Sequence, residues 1–328
     1  MSYPTVAKLA PYFNMPFKIC VPMFCFITGY AYYFNSDKSF RYSIKKITDL
    51  LIYYWGVFFT FAIIAIACVK YKYTPITFIR EMFALSRPTM IFCWYVFFYY
   101  LFMLIMPLLP RVLSKNAVWN FILYFVILPF FLNLLNRYVV DETISELLTA
   151  LYNWFPCVLI GYLFANYGWF EKLEEFNMKY IKKRWINIIV WILVAGSAFM
   201  CRFLVATMYI SLSKIQLINY IPSVAISLDV LYAPIFIYCI IKLSGSFKLK
   251  YCKKVLSAIG DKSMLMWFVS CIFFNNCKKV FQPILYFPKK AIITLVWGLL
   301  ICYIASLILE IGIKRIVKLK NKLSFFRR

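Results

Sequence analysis

An all-α bundle of transmembrane helices, polytopic with about nine spans, is the architecture this sequence predicts. Three observations carry it. Hydrophobic residues make up 64% of the 328 residues and aromatics 21%. A soluble domain is about half apolar, so the surplus must face lipid. The apolar residues fall in runs close to the ~20 residues needed to cross ~30 Å of hydrocarbon. Lysines and arginines sit between those runs and crowd alternate loops, as charges that orient spans do.

The runs lie near 17–34, 50–69, 90–109, 117–136, 148–167, 186–205, 223–243, 263–276 and 291–311. The first is too long an apolar run for a cleavable leader, and its charges follow it. The second comes after the basic stretch holding Lys38, Arg41, Lys45 and Lys46. The third opens on Trp94 and Tyr95 and ends on a Pro-Leu-Leu. The sixth contains Arg202 and the seventh Asp229. The eighth is the shortest, and the ninth runs into a basic tail. No Pro/Gly/Ser-rich linker divides the chain, so residues 1–328 read as a single integral membrane domain.

The loops after the first, third, fifth and seventh spans, together with the C-terminal tail, hold twice as many basic residues as the opposite side. That places the C-terminus in the cytoplasm and the N-terminus outside, as a multi-pass protein of the plasma (inner) membrane. A chain that begins outside has no export signal ahead of its first span, so a further helix before Met1 is expected. The formal charge of +25 belongs to this topology. The basic residues are interspersed with apolar runs and form no basic domain, so the expected partner is membrane lipid and not nucleic acid.

The chain has no histidine, which removes the commonest acid/base group and metal ligand together. Its 11 cysteines are scattered and none forms a C-x-x-C pair. They read as small apolar residues, with neither a disulfide framework nor a zinc site. No Walker loop or dinucleotide fingerprint is present, and no bound metal or cofactor is expected.

Polar groups within apolar runs mark the candidate site. Arg202 and Asp229 lie on consecutive antiparallel spans, near the same outer end. A charge in lipid costs at least ~2.5–3.5 kcal/mol by insertion scales, so each calls for a partner or a wet cavity. The alternative is an arginine that snorkels and an aspartate close to a loop. Trp94 and Tyr95, and Trp267 beside Ser263, are either an interfacial aromatic belt or a surface for stacking a sugar ring. Ser270 interrupts its apolar run, either facing a polar cavity or bonding back to its own helix. Asn275 either lines a cavity or ends a helix. The "GYLFANYG" stretch at 161–168 invites close helix packing.

Several stretches together resemble the membrane acyltransferase type 3 family. "VPMFCFITGY" followed by basic residues is similar to one of its helices and loops. "CWYVFFYYLFMLIMPLLPRVLSKN" is similar to its Trp-Tyr helix. "SMLMWFVSC" is similar to a segment in which the family commonly has a histidine where Ser270 stands, and "LDVLYAPIFIYCIIKL" is a softer match. The resemblance implies a ten-helix enzyme that moves an acyl group, usually acetyl from acetyl-CoA, onto a hydroxyl of a cell-surface polysaccharide or lipid-linked glycan. It also implies an Arg and a His on a helix preceding the first span found here. With the resemblance, Arg202 would stabilise developing negative charge, Asp229 would orient a sugar hydroxyl, and Ser270 would face the catalytic cavity. Trp94, Tyr95, Ser263, Trp267 and Asn275 would bind substrate. A non-catalytic homologue that transports a glycan or lipid precursor, or scaffolds its assembly, is the rival reading. Direct transfer needs a base, so the missing imidazole leaves open either a chain that lacks its first helix or a degenerate homologue. Cys93 or Cys271 as nucleophile is disfavoured, because a thiol in apolar surroundings has a raised pKa.

Overall fold

The structure, a computed structural model, describes residues 19–85, 94–113, 116–181, 183–212, 228–246, 250–273 and 278–325. All regular structure among the described residues is helical. The elements are α1 (Cys20–Tyr33), α2 (Phe40–Val69), α3 (Pro75–Met82), α4 (Trp94–Ile105), α5 (Leu109–Val112), α6 (Ala117–Phe121), α7 (Leu128–Asn136), α8 (Glu142–Asn166), α9 (Trp169–Tyr180), α10 (Arg184–Leu212), α11 (Asp229–Ser246), α12 (Lys250–Cys271), α13 (Lys278–Leu285) and α14 (Ala291–Phe325). A π-helical stretch, Ile122–Ile127, joins α6 to α7.

Six helical stretches among the described residues are long and apolar enough to cross a membrane: Phe40–Cys68, Trp94–Val112, Ala117–Asn136, Ile144–Asn166, Arg184–Val205 and Ile293–Ile316. The chain is therefore a polytopic all-α bundle. Several helices begin or end outside the apolar runs that mark them in the sequence, three of them by ten residues or more. α2 starts at Phe40, where the Ser39 side chain accepts from the Tyr42 amide. α12 starts at Lys250, because no proline or glycine interrupts residues 250–259. α14 continues to Phe325. Stretches that read as basic loops are thus partly helical extensions.

The chain forms two compact units, residues 1–38 with 106–249 and residues 39–105 with 250–328. In the first, α8 is the central helix, with 56% of its apolar window buried. α1 lies directly against it. A Cβ on Gly29 would stand 1.8 Å from the Val158 carbonyl oxygen, and one on Gly161 would stand 2.0 Å from that of Phe26. The helices touch backbone to backbone, which only glycine allows. Gly168 has a different role: at φ 59° it is the left-handed residue between α8 and α9.

α10 is held differently. Only 11% of its apolar window is buried, and it packs mainly on α11. At one end Trp191 Nε1 donates to Asn177 Oδ1 of α9 at 3.2 Å, and its ring meets Tyr238 of α11 edge-on at 4.8 Å. α9 itself is fastened to α11 by Glu174, which takes the Tyr238 hydroxyl at 3.1 Å and the Lys242 ammonium.

In the second unit, α2, α12 and α14 pack together around Tyr54, Phe58, Phe268, Val269 and Ile272. The short α3 starts with a capping box between Thr74 and Thr77 and a proline at its first turn. It is tied to α2 where Tyr54 Oη donates to the Glu81 carbonyl at 2.6 Å and Trp55 Nε1 to that of Met82 at 2.9 Å. Glu310 of α14 holds Lys262 of α12 at 2.5 Å and Lys314 at 2.9 Å.

Gly161→Leu should force α1 away from α8, at a cost of about 1–3 kcal/mol or more for overpacking. The monodisperse fraction in detergent and the thermal midpoint should both fall. Gly196, with nothing within 4 Å of its would-be Cβ, should tolerate alanine with no loss.

Candidate functional site

The strongest constellation joins α10 and α11. Arg202 sits deep in an apolar helix, and Asp229 is the first residue of the next one. Arg202 Nε donates to Asp229 Oδ1 at 2.8 Å and Nη2 donates to Oδ2 at 3.2 Å. This is a side-on, bidentate pair, the geometry for which a guanidinium fork is suited. Both residues are buried, at 5% and 4% exposure. The pairing expected from two opposite charges on consecutive spans is present, and Arg202 is not a snorkelling anchor.

Local structure explains the placement. Leu228 adopts a left-handed φ of 53° immediately before α11, and Asp229 then carries its carboxylate at the helix N-terminus, where the helix dipole favours an anion. Two other elements, α1 and α8, and one further residue of α11 lie around the pair. Cys20 at the start of α1 is within electrostatic range of Arg202, and Cys157 of α8 and Tyr232 of α11 are within that of Asp229. A fixed guanidinium can stabilise an oxyanion, and a carboxylate can accept a hydroxyl proton or hydrogen bond. The same atoms also neutralise each other, so the pair is as well suited to structure as to chemistry.

The remaining candidates belong to the second unit. Tyr95 of α4 meets Trp267 of α12 edge-on, with centroids 5.8 Å apart and planes at 80°. Trp94 is 5.9 Å from Tyr95 at 83°. Ser263, Trp267 and Ser270 are spaced i, i+4 and i+7, which puts them on one face of α12. Both hydroxyls donate to their own helix: Ser263 Oγ to the Gly260 carbonyl at 2.7 Å and Ser270 Oγ to the Trp267 carbonyl at 2.8 Å. The oxygens of these serines remain able to accept. Asn275 and Cys93 lie outside the described residues.

Some polar groups are hard to find from sequence. Glu81 is fully buried. Its spacing after Phe78 and before Leu85, three and four residues, puts it on an apolar stripe, and that was the available signal. The Lys262–Glu310–Lys314 and Glu174–Tyr238–Lys242 groups gave no such signal, because each depends on a partner remote in sequence, Lys262 lying 48 positions from Glu310 and Glu174 lying 64 from Tyr238.

Apolar spanning helices with buried, paired charges define an integral membrane protein. The chain belongs to the acyltransferase 3 family: the family's model, described as an acyltransferase domain, matches residues 2–314. No curated protein and no solved structure matches the chain.

Arg202→Ala and Asp229→Ala should each destabilise the fold strongly, by about 3–5 kcal/mol, since each leaves a lone buried charge. The double substitution should cost clearly less than the sum of the two. Thermal midpoints of the purified variants check this, and strict additivity would contradict the pairing.

Proposed function

We propose that this protein is a membrane O-acyltransferase that moves acetyl from acetyl-CoA to a hydroxyl of a cell-surface polysaccharide or lipid-linked glycan. Family membership supports acyl transfer, and the buried Arg202–Asp229 pair is the observation that favours this place for it. The acceptor oxygen attacks the thioester carbonyl, a C–O bond forms, the C–S bond breaks and the CoA thiolate leaves with a proton. Asp229 holds the acceptor hydroxyl and receives its proton. Arg202 turns from the carboxylate toward the oxyanion as it forms, so that charge passes between groups already in place. Within the second unit, Trp94, Tyr95 and Trp267 offer aromatic faces suited to sugar rings, and Ser263 and Ser270 on the face of Trp267 keep oxygens able to accept; Asn275 is kept as a substrate-binding candidate on its sequence alone.

The site lies in the plasma membrane with its acceptor end outside and the C-terminus in the cytoplasm, as the basic loops favour. Reporter fusions at Arg328 and after residue 247 should both read cytoplasmic, and an external signal from either would overturn the topology.

The absence of histidine favours a second reading, a non-catalytic homologue that moves or scaffolds a glycan or lipid precursor. One assay separates the two. The full-length protein in proteoliposomes is given labelled acetyl-CoA and a lipid-linked glycan. The enzyme reading expects label in the glycan, lowered about 10²–10⁴-fold by Asp229→Asn, the loss typical of a general base. Its folded state is checked in parallel, and Asp229→Glu is expected to recover part of the rate. No transfer at any pH selects the second reading.

A further inference from the structure

Three departures from regular helix meet at one place in the first unit. The Ile122–Ile127 stretch is wound as a π-helix. Pro129 opens α7 and Pro156 lies inside α8, and neither has an N–H to give its helix. Leu228 is held in the left-handed region, which a residue with a Cβ rarely adopts. Phe125, Val126, Pro129, Pro156, Leu228 and Leu231 bound a cleft of about 180 Å³ between these irregular segments. Regular helices would close on one another here. π-Helical turns recur at functional sites, and a strained φ persists only where its surroundings hold it.

The lining fixes the chemistry of the occupant. Of the residues that bound the cleft, only Tyr152 carries a polar side-chain atom. A sugar or nucleotide would find no partners for its polar groups, whereas a hydrocarbon chain needs none. Val126 and Leu231 are about half exposed on membrane-embedded helices, so the mouth opens to lipid. The cleft is small and leaves room for a segment of one chain. Leu228 and Val230, both in the cleft wall, flank Asp229 on either side. A chain seated here therefore brings whatever it carries to the buried ion pair.

We propose that the cleft seats the hydrocarbon chain of a lipid-linked sugar, and so fixes which acceptor hydroxyl reaches Arg202 and Asp229. This rests on the acceptor role assigned to that pair. The cleft acts as a ruler: the distance from chain to hydroxyl, not the identity of the sugar alone, selects the site of acylation.

The test uses the full-length protein in nanodiscs of phosphatidylethanolamine and phosphatidylglycerol, without acyl donor. One probe is a polyprenyl-phosphate-linked sugar with a diazirine near the phosphate end of its chain. The other is a phospholipid with a diazirine at the same depth. On irradiation the lipid-linked sugar should label residues 121–129 and 228–231, and unlabelled lipid-linked sugar should compete. Val126→Trp and Leu231→Trp, at exposed positions on opposite walls, should each cut that labelling about tenfold, as an overfilled site does, with thermal midpoints unchanged. Equal labelling by the phospholipid makes the cleft an ordinary lipid-facing groove and overturns the proposal, as does unchanged labelling of the folded tryptophan variants. Specific labelling without acyl transfer refutes the enzyme reading and leaves the cleft. Transfer to a lipid-linked acceptor without labelling refutes the cleft alone.

Discussion

The ion pair between Arg202 and Asp229 is the constraint around which the first unit is arranged. In lipid there is no hydrophobic force to drive one apolar helix onto another, so association relies on close packing and polar contacts. Where packing is slight, as at α10, polar contacts carry the helix. With only 11% of its apolar window buried, it is clasped by two of them, eleven residues apart along the helix: Arg202 to Asp229, and Trp191 to Asn177. α1 and α8 use the other solution, a backbone contact at Gly29 and Gly161 that leaves no room for a side chain. One unit thus combines a rigid glycine-packed pair with a helix hung on charges.

That contrast bears on chemistry. A helix held by a few directional contacts can shift when one of them is exchanged for substrate, whereas α1 and α8 cannot move apart without losing their whole interface. The pair stands where α10 meets α11, and the glycine-packed helices α1 and α8 supply neighbours. Family membership establishes acyltransfer as the family's chemistry.

Much of this was legible in the sequence because lipid makes charges conspicuous. Six of the nine apolar runs correspond to helices long and apolar enough to span among the described residues, while the runs near 17–34, 223–243 and 263–276 do not; an arginine in one run and an aspartate in the next already implied each other. Gly161 announced close packing, although Gly168 of the same stretch turned out to be a left-handed helix junction. What stayed hidden depends on partners remote in sequence or on backbone detail. Glu310 meets Lys262 across 48 positions, and Lys262 looked like a solvated loop charge. The hydroxyls of Ser263 and Ser270 bond to carbonyls of their own helix, a choice that residue identity does not decide. The π-helix at 122–127 leaves no mark in an unbroken apolar run, and Leu228 gives no hint of its left-handed backbone.

Exchanging the two charges tests the central claim most directly, because it keeps the pair and changes everything else about it. Arg202→Asp alone and Asp229→Arg alone each place two like charges at one buried site, and neither should give a monodisperse folded protein. The double exchange should restore the folded peak and most of the thermal midpoint. It should fall short of the parent by about 0.3–1 kcal/mol or somewhat more, because an arginine then faces the N-terminal end of the α11 dipole. A double exchange no more stable than the single ones, or single exchanges as stable as the parent, would show that α10 is not held by this pair.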